Sequence, residues 1–459
     1  MKIMTTDDTS TLALRSNRHR IFQAIVLILG VVLIILAAAS VAFFFESPSI
    51  NYKFGWNKVI LRAAKIIGLI AAVLLFLQLP LAGRFKFLDR IFSLPGLFNM
   101  HRINGYVILM LIVLHPILVT IPEDRLMIPF EVRYWPEWIG AALLATVFVQ
   151  IVFSRWRTKF IKAYHRWLYL HRALGWSILI LLVLHILYVS ETFEFDGLPR
   201  TIVISVAIVL VILWLTVRCQ RLLARKHPFE VSHVALAGKD AHAIDLIPVH
   251  GKGIDYLPGQ FAFFSFGSHQ LSAEWHPFTI SSTPTRPNQL QINVRSCGDW
   301  TDQIKNIQKG DPVWVHGPFG CFSHVLESDE KEVIMIAGGI GITPMLSMLK
   351  ALSDKNDQRR ITLLWSNRSA EYEFDHDGLE AIADRLPNFT YIPIFTDKVE
   401  PKGRFGRLNL DRLKTLLTKS SKDALIFLCG PPLMIRQVRR HLVTMGFSSN
   451  AIKEELFDL

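Results

Sequence analysis

Cysteine is scarce in this sequence. The four copies in 459 residues (Cys219, Cys297, Cys321 and Cys429) show neither the close pairing of a metal knuckle nor the regular framework of a disulfide scaffold. None falls in a segment expected to face outward, which fits a reducing compartment. There is no EF-hand loop, no low-complexity tract, no long outward-facing domain and no N-x-S/T site in an expected outer loop. Calcium control and an outer glycosylated domain are therefore not expected, and the compact form suggests a bacterial inner-membrane protein. Acidic residues are outnumbered, 38 against 50 Lys and Arg, for a formal net charge of +12. Such a balance suits nucleic acid or anionic lipid. Its placement decides for membrane topology, because the basic residues gather in alternate gaps between apolar runs.

What the sequence has in quantity is apolar length, with 51% hydrophobic residues concentrated in the first half. Runs at 21–45, 59–81, 103–121, 138–153, 167–189 and 202–217 predict six transmembrane helices, the fourth short for a span. The first follows Arg15, Arg18 and Arg20, as a signal peptide would, but it is much longer than a signal peptide's apolar core. Trp135, Trp138, Trp156 and Trp167 stand at run ends, as an interfacial belt requires. One set of gaps holds Arg84, Lys86 and Arg90, then Arg155, Arg157, Lys159, Lys162 and Arg166, then Arg218, Arg221, Arg225 and Lys226. The other holds Glu123, Asp124, Glu131, Glu137, Glu191, Glu194 and Asp196, with Lys53 and Lys58 against the trend. This asymmetry predicts both termini in the cytoplasm.

Two of the apolar runs share a histidine pattern: HRINGYVILMLIVLHP from His101 to His115, and HRALGWSILILLVLHI from His171 to His185. No other internal repeat is evident. Fourteen residues of α-helix turn through about 1400°, about 40° short of four turns, and rise about 21 Å. Both His of each run therefore face one way. Two such helices side by side present two levels of facing imidazoles, His101 with His171 and His115 with His185. That is the axial ligand set of two low-spin hemes. A lone His in an apolar helix is ordinarily a hydrogen-bonded core residue. Four in two copies of one spacing, within a membrane, ask for a function.

From about residue 226 the pattern changes. PFEVSHVAL, AIDLIPV, GQFAFFSF, QLQINVRS and DPVWVHGPFG alternate with turns, as in a small antiparallel β-barrel. From Glu332 strands and helices alternate: EVIMIAGG, ITPMLSMLKALSD, ITLLWSN, ALIFLCG and MIRQVRRHLVTMG. This predicts a doubly wound parallel sheet. The expected division is a cytoplasmic segment 1–20, a membrane domain 21–217, a barrel 226–328 and an α/β domain 329–459.

Four motifs carry the chemistry of this half. HPFTISSTP contains His276, Pro277, Phe278, Thr279 and Ser282. RSCGDWT contains Arg295, Ser296, Gly298, Trp300 and Thr301. AGGIGITP contains Gly338, Gly339, Gly341, Thr343 and Pro344, a strand–turn–helix loop whose backbone N–H groups suit a pyrophosphate. LCGPP contains Cys429, Gly430 and Pro431 after a later strand. Arg368 follows the second strand of the parallel sheet, where a guanidinium would meet a 2′-phosphate, and Arg404 is a second candidate.

The His pairs and these motifs together resemble the NADPH oxidase and ferric reductase family over about residues 21–459. The resemblance implies a six-helix membrane bundle and a ferredoxin-reductase-like half. It implies FAD, two b-type hemes and NADPH as cofactors. It places the flavin ring near Phe278, Thr279 and Ser282, its phosphates near His276 and Arg295, and Cys429-Gly430-Pro431 beside the nicotinamide. In the family a terminal aromatic, two residues after a Glu, stacks on the flavin. Glu455 and Phe457 fit, with Asp458 and Leu459 beyond. Arg62 is expected near the outer heme, as partner for a propionate or an anionic acceptor. Two departures stand out. The second His pair is separated by fourteen residues where the family's oxidases often have thirteen, and Val119 stands where they often carry a further His. The expected activity moves electrons from cytoplasmic NADPH to an outer acceptor. Oxygen giving superoxide is placed ahead of a ferric chelate, with a quinone or periplasmic partner as a third option. A heme-free membrane sensor or transporter with a nucleotide-binding domain is the competing class.

Overall fold

The computed structural model describes residues 27–39, 41, 54–123, 128–161, 164–189, 197–224, 228–268, 271–327, 331–397, 399 and 403–455. The chain divides into two compact units. One comprises Ile21–Leu88 and Gly96–Cys219; the other joins Asp89–Pro95 to Gln220–Leu459.

The first unit is helical. Among the described residues, five helices are long and apolar enough to cross a membrane, and α1 (Leu27–Ala39) is a shorter apolar helix inside the first expected span. The others are α2 (Gly55–Ala82), α4 (Leu94–Glu123), α5 (Trp135–Arg155), α6 (Tyr164–Val189) and α7 (Leu198–Ala224). A seven-residue helix α3 (Lys86–Phe92) lies between α2 and α4. α4 and α6 begin before the apolar runs that mark them. His101 lies seven residues inside α4 rather than at its start, because Leu94–Met100 continue the helix despite their mixed character. Ile108, Leu143, Val147, Ile178 and Leu182 form the buried centre of this unit. Most other apolar side chains of these helices face outward, as lipid-exposed helices do.

Among the described residues, the second unit contains two sheets. The antiparallel one comprises β1 (Phe229–Ala237), β2 (Ala241–Pro248), β3 (Phe261–Phe266), β4 (His276–Thr279), β5 (Leu290–Arg295) and β6 (Pro312–Phe319). Its order is β4-β3-β6-β1-β2-β5, and an Ile280/Ile292 bridge brings its two ends together. Phe264, Phe266, Ile244, Ile292 and Val313 fill the interior, all of them fully buried. The parallel sheet runs β10 (Arg404–Phe405), β9 (Phe389–Phe395), β8 (Ile361–Asn367), β7 (Val333–Gly338), β11 (Leu425–Cys429) and β12 (Ile452–Glu455). β7 and β11 are buried along their whole length, as strands covered on both faces must be. The helices α8 (Thr343–Asp354), α9 (His376–Arg385), α10 (Leu410–Leu416) and α11 (Pro432–Thr444) accompany this sheet. β9 and β12 were not anticipated. β9 carries Pro393 and is only partly buried, and β12 is a short polar strand.

Candidate functional site

In the helical unit the four histidines form two pairs. The rings of His101 and His171 have centroids 6.1 Å apart at 66°. A metal–imidazole bond of about 2 Å on each side, plus a ring radius of about 1.1 Å twice, gives about 6 Å between centroids, so this separation fits a bis-imidazole iron. His115 and His185 are electrostatic neighbours.

The second nitrogen of each ring is also occupied. His101 Nδ1 lies 3.2 Å from the Gln78 carbonyl, His115 Nδ1 2.9 Å from that of Ala64, and His185 Nδ1 3.1 Å from that of Pro136. A carbonyl only accepts, so each Nδ1 carries the proton and Nε2 keeps its lone pair for a ligand. His171 Nδ1 faces Gln150 Nε2 at 2.8 Å and Ser154 Oγ at 3.2 Å.

Glycine makes room for two of the rings. A Cβ on Gly68 would lie 2.8 Å from Cε1 and Nδ1 of His115, and one on Gly140 would lie 2.6 Å from Cε1 of His185. The backing helices thus copy each other. α2 offers Ala64, Gly68 and Gln78, and α5 offers Pro136, Gly140 and Gln150, at identical spacings. This second repeat accompanies the one in the histidine helices. It was missed because a glycine in an apolar helix is unremarkable until residues 68–78 are set beside 140–150. Arg62 is half-buried on α2, two residues before the carbonyl that holds His115.

In the other unit the HPFT and GDWT motifs meet. The His276 ring stacks on Trp300 with centroids 3.9 Å apart at 28°, and Phe278 lies nearly parallel to the same indole at 6.1 Å. Trp300 Nε1 donates to the Ser272 carbonyl, and His276 Nε2 is 3.1 Å from Glu274. Pro277 and the buried Thr279 complete β4. Thr301 Oγ1 accepts from the Cys297 N–H and donates to the Gly298 carbonyl, closing the turn that follows Ser296. Ser282 is committed within the protein: its hydroxyl bonds to Tyr256 and accepts the Gln291 N–H.

Arg295, expected at the flavin phosphates, lies beside the glycine loop. Its guanidinium is held by Asp240 at 2.7 Å, sits over the Tyr372 ring, and abuts the glycine loop, where a Cβ on Gly339 would lie 3.2 Å from it. It shares a cavity of about 200 Å³ with Gly338, Gly339, Arg368, Tyr372 and Thr396. Arg404 is exposed on β10 and does not line this cavity. Asn367 does line it, and its buried Nδ2 has no hydrogen-bond partner among the described residues. An orphan donor there suits a polar ligand.

The glycines of this loop serve close backbone packing. A Cβ on Gly341 would meet the Cys429 carbonyl at 2.5 Å, and one on Gly338 would meet Met434 and Pro431. Gly430 adopts φ +156° with Gly338 backbone atoms 3.0 Å from its Cβ position. The GGIG and CGPP loops therefore lie backbone to backbone. Trp365 Nε1 donates to the Gly339 carbonyl, and Thr343 and Pro344 are buried at the start of α8.

Burial and the nearby Glu455 carboxylate push the Cys429 thiol up. Desolvation, with the Asp89 carboxylate nearby, pushes Glu455 up to about 8. Asp89 comes from α3, is buried, and accepts the Gly320 N–H at 2.9 Å. Phe457 lies outside the described residues.

Three family descriptions match along the chain. "Ferric reductase like transmembrane component" covers residues 67–183, "FAD-binding domain" covers 227–366 and "Oxidoreductase NAD-binding domain" covers 335–440. Among curated relatives, NADH-cytochrome b5 reductase 1 of Candida glabrata is 31% identical over 182 residues, 37% of this chain and 64% of that protein. The anthranilate 1,2-dioxygenase electron transfer component of Acinetobacter baylyi is 28% identical over 212 residues, 45% of this chain and 60% of that one. The chain thus spans less than two-thirds of the length of these relatives. Among solved structures, the cytochrome b5 reductase domain of Ulva prolifera nitrate reductase is 25% identical. It covers 50% of this chain and 98% of its own, with a TM-score of 0.44. An apolar helical ferric-reductase-type domain is thus followed by FAD-binding and NAD-binding domains, a set of domains that matches the NADPH oxidase and ferric reductase family.

Proposed function

We propose that this protein moves electrons from NADPH, through FAD and two b-type hemes, to a one-electron acceptor on the outer face of a membrane. The observation that carries this reading is the pairing of four histidines at two levels, with the Nδ1 of three held by backbone carbonyls. Bound FAD would supply hydride acceptance from the nucleotide, and bound heme would supply one-electron transfer.

The chain's own residues hold and orient. His101 with His171, and His115 with His185, present Nε2 to iron in an apolar layer that excludes water. His276, Phe278 and Trp300 form the aromatic wall for the flavin side, and Thr279 lies buried beside it. Gly338, Gly339 and the start of α8 offer backbone N–H groups to the nucleotide pyrophosphate. Arg295 is poised over the same loop, where it serves the nucleotide as well as the flavin. Arg368 meets the 2′-phosphate and favours NADPH. Glu455, whose carboxyl is raised to about 8 by desolvation, stands beside Cys429, where the nicotinamide is expected. The loop charges support a topology with both termini and the reductase half in the cytoplasm.

Oxygen is the proposed acceptor, reduced to superoxide, two per NADPH. A ferric chelate is the second reading. It is favoured by Val119, which removes a polar group from the outer end, and by Arg62, a cation at the level of the outer pair. Purified protein supplied with FAD and NADPH is expected to reduce cytochrome c in a manner abolished by superoxide dismutase. Reduction indifferent to the dismutase, with ferric chelate reduced directly, would transfer the function to the second reading. A preparation with no Soret band would favour the heme-free class instead.

A further inference from the structure

One of the four histidines breaks the rule that the other three obey. His101, His115 and His185 each direct Nδ1 at a backbone carbonyl of the neighbouring helix. His171 directs it at side chains, Gln150 Nε2 at 2.8 Å and Ser154 Oγ at 3.2 Å. The same Gln150 nitrogen donates to the His171 carbonyl at 2.9 Å. The contrast is sharpest against Gln78, which occupies on α2 the position Gln150 occupies on α5, ten residues after the ring-seating glycine. Gln78 serves His101 through its backbone, whereas Gln150 serves His171 through its side chain. The Oε1 atoms of both are buried with no hydrogen-bond partner among the described residues.

The two kinds of partner differ physically. A helix carbonyl is fixed in direction and only accepts, so it locks the Nδ1 proton. As placed, Gln150 offers His171 Nδ1 a donor; with Nε2 on iron, Nδ1 carries the proton, and a half-turn about the last glutamine torsion brings the buried, unpartnered Oε1 round to accept it, while a serine hydroxyl donates or accepts. The acceptor strength offered to Nδ1–H sets how much anionic character the imidazole takes on. A more basic ligand lowers the reduction potential of the iron it binds. For the outer pair both partners are backbone and belong to the fold. For the inner pair one partner is a side chain.

We propose that Gln150, assisted by Ser154, is a positioning residue that sets the reduction potential of the heme held by His101 and His171, independently of the heme held by His115 and His185. The proposal rests on the bis-heme reading given above, and the test separates the two.

The test is a potentiometric titration of the reduced α band in the purified full-length protein with FAD and heme bound, with low-temperature EPR of the oxidised form. Gln150→Leu removes the partner and is expected to move one of two midpoints upward while the other stays. Gln150→Glu offers a carboxylate acceptor and is expected to move the same midpoint downward. Gln78→Leu leaves the Gln78 carbonyl in place and is expected to move neither. Should Gln150→Leu fail to assemble, Ser154→Ala deletes a single oxygen and is expected to move the same midpoint upward by a smaller step. Unmoved midpoints in the Gln150 and Ser154 variants would overturn the proposal, as would a shift in Gln78→Leu as large as that in Gln150→Leu. An unsubstituted protein without a Soret band would overturn the heme reading and the proposal with it.

Discussion

Both units use glycine to bring something close to a backbone, and they bring different things. In the helical unit, Gly68 and Gly140 leave a gap that a histidine ring fills, with the carbonyl four residues earlier taking the ring's second nitrogen. In the reductase unit, Gly338, Gly341 and Gly430 leave no gap, and two loops lie directly on each other. The first arrangement builds a seat for a histidine, the side chain proposed to reach a metal. The second fixes the floor of the cavity proposed for the nucleotide. The lesson is that the same residue marks a ligand's seat or a loop's contact according to what stands opposite it.

The comparison breaks most severely at the ring seats. Gly140→Leu pushes atoms into His185 and is expected to remove one of the two hemes. The α-band absorbance per flavin would fall by about half while flavin reduction by NADPH persists. Gly68→Leu is expected to do the same through His115. Unchanged heme content in both variants would mean that the glycines serve only helix packing.

Gly341→Val places its side chain against the Cys429 carbonyl, which cannot move aside as a side-chain tip can. Overpacking of this kind costs about 1–3 kcal/mol or more. The expected outcome is a lowered Tm for the reductase unit and loss of nucleotide-dependent flavin reduction, with the heme spectrum intact. Loss of heme in this variant would show that the two kinds of glycine are not separable.

How far the sequence reveals these features follows from how local each one is. The His pairs are visible because a helix repeats, and fourteen residues return nearly to the same face. HPFT, GDWT, GGIG and CGPP are visible as contiguous words. Gly68, Gly140, Gln78 and Gln150 are not, because their meaning lies in which helix stands opposite. The start of α4 lies outside the apolar run at 103–121, because Asn99, His101 and Arg102 interrupt the hydrophobic pattern inside the helix. Asp240 and Tyr372 were invisible for the same reason as the glycines: they act on Arg295 from two turns far away in sequence.

Two smaller effects sharpen the account of the nucleotide cavity. Arg368→Ala is expected to raise KM for NADPH about tenfold, equivalent to about 1.4 kcal/mol, and to leave KM for NADH nearly unchanged in steady-state assays. Equal changes for both nucleotides would remove Arg368 from 2′-phosphate recognition. Glu455 is raised from 4.5 to about 8 in the fold, so its protonated form is the one the structure favours. The stability it confers is fully present below about pH 4.5 and is lost as the pH rises through about 8. Glu455→Gln is expected to flatten the fall in Tm of the reductase unit between those values. An identical fall in the variant would assign the titration to another group.

The central claim is that α4 and α6 hold two hemes between paired histidines. Heme and flavin quantified together in purified protein, with the spectrum recorded before and after dithionite, test it most directly. Two b-type hemes per FAD are predicted, falling to one in His115→Leu. No heme, or a heme content unchanged by that substitution, would contradict it.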